Sequence, residues 1–332
     1  MQPFEYERAT SPQSAVQSIA SVPTAKFLAG GTNLVDLMKQ NVELPTHLVD
    51  INRLDLARIE EMPDGGLRLG ALARNADTAD HPLVRERYPM LAQAILAGAS
   101  PQLRNLATNG GNLLQRTRCY YFYDPAYEEC NKRKPGSGCA AIHGFNRIHA
   151  ILGASPACIA THPSDMCVAL AALEAVVQAR GRHGNRSIRF ADFHRLPGTT
   201  PEIETNLRPD ELIVSIDLPK GPYAEHSAYV KVRERASYAF ALVSAAAALD
   251  LEGGTIRSAR LALGGVAMKP WRSEKAEAVL QGKPASDASY RAAATEAVAG
   301  AKTYEHNAYK VAMAKEAIVR AFRLAAQNRE NA

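Results

Sequence analysis

The chain has 332 residues, 46% hydrophobic and 22% charged, a globular composition with material for two or three domains. Its formal charge of +5 is modest and scattered, with only Lys132-Arg133-Lys134 clustered. That excludes a nucleic-acid-binding stripe and leaves the trio as a solvated or partner-facing loop. No apolar run reaches membrane-spanning length, and Met1-Gln2-Pro3-Phe4-Glu5-Tyr6 lacks the charged-then-apolar order of an export signal.

From Phe4 the chain reads as extended, then Ser11 as N-cap and Pro12 at the first helical position open a short helix with Ala15, Val16 and Ile19 on one face. Ala25–Ala29 predicts a strand that runs into Gly30-Gly31-Thr32-Asn33, after which Leu34, Val35, Leu37 and Met38 resume helical spacing. Strand, glycine turn and helix suit an anion: glycines admit close backbone approach, and the helix start presents unpaired N–H groups. The turn is neither a Walker loop nor a G-x-G-x-x-G fingerprint, so a plain structural corner stays open at this point. His47–Ile51 and Leu67–Ala71 read as strands, the second introduced by the turn Pro63-Asp64-Gly65-Gly66. Asn75 to His81 reads as a capped turn, and Tyr88-Pro89-Met90-Leu91 leads a helix that ends at Gly98.

A second diglycine corner, Thr108-Asn109-Gly110-Gly111-Asn112, follows. Two such corners predict two loops gripping one polyanionic ligand, because a single phosphate needs one nest and a dinucleotide pyrophosphate can use both. Beyond it lie Cys119, Cys130, Cys139 and Cys158, four of the five cysteines, in a stretch with little periodicity. A segment this long needs something to order it, and thiolates on a metal would do so. The intervals of ten, eight and eighteen residues match neither a ferredoxin run nor a paired C-x-x-C. An iron-sulfur cluster, a zinc site and buried thiols all remain open, while an odd cysteine count without a secretory signal argues against disulfides. Cys167 sits in the apolar run Met166–Leu173 and reads as a core thiol on a buried helix, whose end is placed over Ala175–Ala179.

Gly181–Asn185 predicts a hairpin turn and Glu211–Pro219 a strand, with a domain junction at Pro219-Lys220-Gly221-Pro222. Strands follow at Ser227–Val232, Ala239–Leu251 and Ile256–Val266, then helices at Lys275–Leu280, Ala288–Val298 and Tyr309–Ala326. Strands followed by helices describe an α+β domain.

Three motifs in order, Ala29–Leu34, Leu103-Arg104-Asn105 leading into Ala107–Asn112, and Arg260–Ala267 leading to Pro270, carry a family likeness. The chain resembles the FAD-binding medium subunit of the xanthine dehydrogenase and aldehyde oxidase family of molybdenum hydroxylases over almost its whole length. In ordinary members the second corner leads, after a short link, into a Ser-Pro-x-x-Asp element, whose counterpart here is Pro163-Ser164-Asp165. Residues 114–157 are therefore an insertion. Around Arg118-Cys119-Tyr120, Cys130-Asn131-Lys132-Arg133 and Pro135–Cys139 it resembles bacterial aldehyde oxidoreductases whose FAD subunit carries an additional [4Fe-4S] cluster.

The resemblance implies an α+β protein: a two-subdomain FAD-binding fold of PCMH type over 1–221 (about 1–57 and 58–221), then a C-terminal α+β domain over 222–332 with an antiparallel sheet and helices. It implies that Lys26, Phe27, Leu28, Ala29, Gly30, Gly31, Thr32, Asn33 and Leu34 wrap the FAD pyrophosphate, with backbone donors from the glycines and side-chain donors from Thr32 and Asn33. Thr108, Gly110, Gly111 and Asn112 would form a second grip. Asp165 would bond ribityl or ribose hydroxyls, Ile213 would pack on the flavin, and Lys231 would sit near the isoalloxazine, its charge favouring the reduced anion. Tyr238 reads either as a flavin neighbour or as a surface aromatic. Cys119, Cys130, Cys139 and Cys158 would hold the cluster, with Arg116, Arg118, Lys132 and Arg133 raising its potential. Implied partners are a large molybdenum-cofactor subunit and a small [2Fe-2S] subunit in a heterotrimer that oxidises an aldehyde and passes electrons to an external acceptor. No side chain here needs to act on the aldehyde. Assembly is expected in the cytoplasm, or in the periplasm by export with a partner. A self-contained flavin oxidase and a zinc-stabilised binding module are the alternatives.

Overall fold

Three sheets, each with its own reason to bury, organise the computed structural model, which describes residues 1–327; the expected C-terminal domain's residues 328–332 lie outside the described residues. The first is parallel, in the order Glu5–Arg8, His47–Asp50, Ala25–Leu28. The helix Pro12–Ser21 covers it. Ser11 Oγ accepts from the Ser14 N–H at 3.0 Å while Ser14 Oγ accepts from the Ser11 N–H at 3.0 Å, so reciprocal capping satisfies two donors at the helix start. The helix's apolar face joins Ala25, Val49 and Ile51 in one core.

The second sheet is antiparallel, ordered Ile59–Glu61, Leu67–Gly70, Leu212–Leu218, Val176–Gly181, Gly184–Arg189. Its inner face packs on the helices Pro89–Ala97 and Asp165–Ala172. The third, also antiparallel, runs Trp271–Arg272, Thr255–Gly264, Val243–Glu252, Ser227–Val232. Its second long strand is buried on both faces: Ala246 and Ala248 face the core shared with the middle sheet, while Ala245, Ala247 and Leu249 face the helices Glu274–Leu280, Asp287–Ala297 and Tyr309–Ala326. Two-sided burial is why that strand reads as an unbroken apolar run, and its alanines give helices close approach from both sides. The α+β reading holds.

Local departures from expectation have local causes. The helix that begins at Asp165 stops at Ala172; Glu174 is left-handed at φ 55° and Val176-Val177 then enter a strand, so residues 175–179 are not a helix end. β-branched Val176 and Val177 suit the pleat, and the strand sits between two partners. The expected strand over Ala239–Leu251 begins only at Val243, because residues 238–241 are a loop with Tyr238 at φ 51°. Asn75–Asp80 is a helix rather than a turn, and a second, Pro82–Arg87, follows with Pro82 at its first position. Between Leu113 and Asp165 only Tyr120–Tyr123 is helical among the described residues.

Candidate functional site

The two diglycine corners touch. A Cβ placed on Gly30 would lie 2.0 Å from the Leu106 carbonyl oxygen, so the first corner is packed directly on the loop that leads into the second. Gly31 turns at φ +71°. Among the described residues, the backbone N–H groups of Gly30, Gly31, Thr32 and Asn33 find no backbone acceptor. Four successive unpaired donors at a half-buried corner form a cradle for an anion.

The second corner is built differently. The Gly110 N–H donates to the Ala71 carbonyl at 2.8 Å, the Gly111 N–H to Thr108 Oγ1 at 3.2 Å and the Asn112 N–H to the Thr108 carbonyl at 2.8 Å. Its amides are engaged, so it offers the Thr108 hydroxyl and a close-packed backbone at Gly110, where an added Cβ would stand 3.2 Å from the Ala71 Cβ. Asn109, fully buried, anchors it by donating to the Gly70 carbonyl at 3.2 Å and Thr78 Oγ1 at 2.9 Å. Asn112 Oδ1 accepts from Ser164 Oγ at 2.6 Å, tying the corner to the helix at Asp165.

Both corners open onto one cleft of about 1230 Å³. That exceeds the roughly 300–1,000 Å³ of most small-molecule sites and suits an extended ligand such as a dinucleotide. Lys26, Phe27, Ala29–Leu34, Thr108, Gly110, Gly111, Asn112, Asp165, Ile213 and Lys231 all line it. Leu28 does not; it supports the corner from behind, its side chain 3.4 Å from where a Gly31 Cβ would stand. The Asn33 side chain is engaged as well: Asn33 Oδ1 accepts from the Arg116 N–H at 2.9 Å and Nδ2 donates to Tyr123 at 3.3 Å, linking the corner to the insertion. Tyr238 stands 60% exposed on the cleft wall, which places both readings of it at the same spot.

At the cleft floor, Asp165 Oδ2 accepts from Lys231 Nζ at 2.8 Å and Oδ1 from the Tyr229 hydroxyl at 2.6 Å. Lys231 Nζ also donates to the Ala97 carbonyl at 3.0 Å. Both charged side chains are nearly buried, at 4% and 7% exposure. Burial and the Asp165 carboxylate push the Tyr229 phenol well above its ordinary range, so it stays a donor. Sequence reading missed Tyr229; its place two residues before Lys231 on a strand, facing the same side, was the available signal.

The cysteines converge in a separate core under the insertion, with Phe122, Ile159 and Met268. Cys130 pairs with Cys139 across a bridge, and Cys139 and Cys158 hydrogen-bond through sulfur, drawing the first thiol down in pKa and pushing the second up. Backbone N–H groups of Ile159, Ala141 and Ile142 surround Cys139, those of Phe122 and Tyr121 surround Cys119, and the Ala160 N–H reaches Cys158 Sγ at 3.4 Å. N–H groups aimed at sulfur stabilise thiolates and fit a cluster. Burial, with the neighbouring Cys130 and Cys139 thiols adding to it, pushes the Cys119 thiol up to about 12, so binding metal there must expel protons. Among the described residues, the spacing of a single-ion site is met by His162, Cys167 and His194, not by these four cysteines. The two histidines and Cys167 are a poor ligand set: His162 Nδ1 accepts from the Ser164 N–H at 3.3 Å, which puts the proton of the neutral ring on Nε2. Cys167 is fully buried on its helix, the core thiol the sequence predicts.

The cations around the four cysteines are held by neighbouring groups. Glu204 takes Lys132 at 2.6 Å and Arg116 at 3.0 Å, and Arg116 also pairs with Glu43. Arg118 lies 3.5 Å from Asp36, and Arg133 reaches the Asp124 and Tyr127 carbonyls. Lys132, Arg116 and Arg118 thus meet carboxylates while Arg133 rests on carbonyls, and the Lys132 charge still favours the Cys158 thiolate.

Residues 2–221 match the family model described as the FAD binding domain in molybdopterin dehydrogenase, and residues 228–325 the one described as the CO dehydrogenase flavoprotein C-terminal domain. The chain belongs to the FAD-binding medium subunits of the molybdenum hydroxylases. It is thus an oxidoreductase subunit, which sets aside a zinc-stabilised binding module. As a medium subunit it is 59% identical over 281 residues to the aldehyde oxidoreductase FAD-binding subunit PaoB of Escherichia coli (strain K12), covering 84% of this chain and 86% of that one. It is 31% identical to the glyceraldehyde dehydrogenase medium chain of Sulfolobus acidocaldarius, over 86% of this chain and 83% of that one. Among solved structures, a chain of carbon monoxide dehydrogenase from Hydrogenophaga pseudoflava matches with a TM-score of 0.77 at 29% identity, covering 98% and 97%.

Proposed function

We propose that this medium subunit carries FAD and a [4Fe-4S] cluster and transfers electrons within a heterotrimeric aldehyde oxidoreductase. Its partners would be a large molybdenum-cofactor subunit, where an aldehyde is oxidised, and a small [2Fe-2S] subunit. The observation that carries the reading is one cleft with an unpaired amide cradle beside a separate core of four converging cysteines. The 59% identity to an aldehyde oxidoreductase subunit supports the substrate class. Relatives named as subunits and medium chains favour partner chains over a self-contained flavin oxidase. The boundaries that go with it are 1–221 for the FAD-binding part, divided near 57, an insertion over about 114–157, and 222–332 for the C-terminal domain. None of the described helices is long and apolar enough to cross a membrane. Assembly in the cytoplasm, with export only alongside a partner, is part of the proposal.

In this reading the amides of Gly30–Asn33 and the Thr32 hydroxyl hold the pyrophosphate, and Thr108 with the Gly110 backbone closes it from the other side. Asp165 keeps one open lone pair on each oxygen for ribityl or ribose hydroxyls while it fixes Lys231 at the cleft floor. Ile213 supplies an apolar wall. Bound FAD supplies the chemistry of collecting electrons from iron-sulfur centres and releasing them to an external acceptor. Cys119, Cys130, Cys139 and Cys158 would hold the cluster. Flavin, iron and acid-labile sulfide analysis of the purified complex tests the proposal. FAD with a four-iron cluster assigned to this chain is expected; correctly folded chain that takes up neither flavin nor iron would refute it.

A further inference from the structure

His149 lies in the loop between Cys139 and Cys158, its residue only 1% exposed, with Nε2 3.1 Å from Cys119 Sγ. Its backbone is gripped from both sides. The His149 N–H donates to the Asn146 carbonyl at 3.1 Å, while its own carbonyl accepts from Lys310 Nζ at 2.9 Å and Asn307 Nδ2 at 3.4 Å. Lys310 is fully buried and also donates to the Ile148 carbonyl at 3.2 Å and the Gly265 carbonyl. Asn307 also reaches the Ala150 carbonyl at 3.2 Å. Two side chains of the C-terminal domain thus hold the backbone from which this imidazole projects.

The tautomer follows from what the other nitrogen lacks. His149 Nδ1 is buried without a partner. A bare lone pair there costs less than a stranded N–H, and a lone pair on Nε2 would face a thiolate. The ring proton therefore sits on Nε2 and points at Cys119 Sγ. Among the described residues, Cys119 is the one of the four cysteines with an imidazole against its sulfur.

We propose that His149 donates a hydrogen bond to the Cys119 ligand of the cluster and thereby raises its reduction potential, with Lys310 and Asn307 as the residues that position the ring. Reduction adds an electron whose charge spreads onto the cysteine sulfurs, and a fixed N–H favours that state. The inference rests on the cluster reading above.

The test uses the full-length chain, reconstituted anaerobically with iron and sulfide and titrated redox-potentiometrically by absorbance and EPR. His149→Phe keeps a slightly larger aromatic ring and removes the donor; His149→Gln restores an N–H near the Nε2 position. At the wild-type midpoint, His149→Phe should lower the reduced-to-oxidised ratio about tenfold, a shift of about 59 mV for one electron, and His149→Gln should recover most of it. A His149→Phe chain with full iron and an unchanged midpoint overturns the proposal. Should that variant lose its cluster, wild-type chain labelled with 15N-histidine decides: pulsed EPR of the reduced cluster must show a histidine nitrogen coupling, and its absence overturns the proposal. Wild-type chain that assembles no iron and sulfide defeats the cluster reading itself, a separate outcome visible before any variant is made.

Discussion

Replacing Glu204 by glutamine removes one negative charge and almost no volume at the point where the insertion is fastened to the FAD-binding part. Lys132 Nζ, on a side chain 2% exposed, has Glu204 at 2.6 Å as its anion and the Pro201 carbonyl at 3.0 Å as its other partner. Arg116 keeps Glu43, but Lys132 is left buried without a counter-charge. Although burial opposes it, the paired Arg116 and Lys132 cations hold the Glu204 carboxyl at about 2, against an ordinary 4.5. That difference corresponds to roughly 3 kcal/mol of stability at neutral pH, at the low end of the roughly 3–5 kcal/mol expected for breaking a buried pair. Because the folded pKa is depressed, the contribution is complete above pH 4.5 and is lost as pH falls through 2. Thermal unfolding of Glu204→Gln at pH 7 should show Tm lowered by roughly 6–12 °C. The wild type should lose its advantage over the variant between pH 4.5 and 2. A Tm within about 1 °C of wild type, or a difference that persists unchanged at pH 2, would refute the reasoning.

Gly30→Ala should weaken FAD binding at least about tenfold, because a Cβ 2.0 Å from a backbone oxygen forces the two corners apart at an overpacking cost of roughly 1–3 kcal/mol; flavin titration followed by fluorescence measures it, and an unchanged affinity would contradict the packed-corner geometry. Lys231→Met strands the Asp165 carboxylate beside Tyr229 and should cost roughly 3–5 kcal/mol in denaturant unfolding. Adding Asp165→Asn should recover part of that loss, since the two act as one unit; strict additivity would show that the pair is not coupled. Cys130→Ser should lose iron and melt lower. If it also keeps full turnover in the complex, the cluster staples the insertion and does not relay electrons.

Much of this protein is local in origin and was legible residue by residue. The reciprocal cap at Ser11 and Ser14, the glycine corners and the apolar period of the helix Tyr309–Ala326 follow from short-range rules of capping, left-handed backbone and periodicity. The misread stretch at Val176 shows the limit: alanines on either side support a helix as well as a strand, and pairing with Leu212–Leu218, distant in sequence, decided the matter.

Sequence by itself determined the family, the α+β class and the candidate ligands, because those reside in residue types at short spacing. Tertiary structure alone decided that the amides of the first corner stay free while those of the second are engaged, that Asp165 and Lys231 meet at the cleft floor, and that Lys132 and Arg116 share Glu204. It also set His149 Nε2 3.1 Å from Cys119 Sγ, with the His149 carbonyl held by a lysine 161 residues away in the chain. The physical reason is that hydrogen-bond capacity and charge belong to each residue, whereas whether they remain available depends on which distant groups the packing brings within reach.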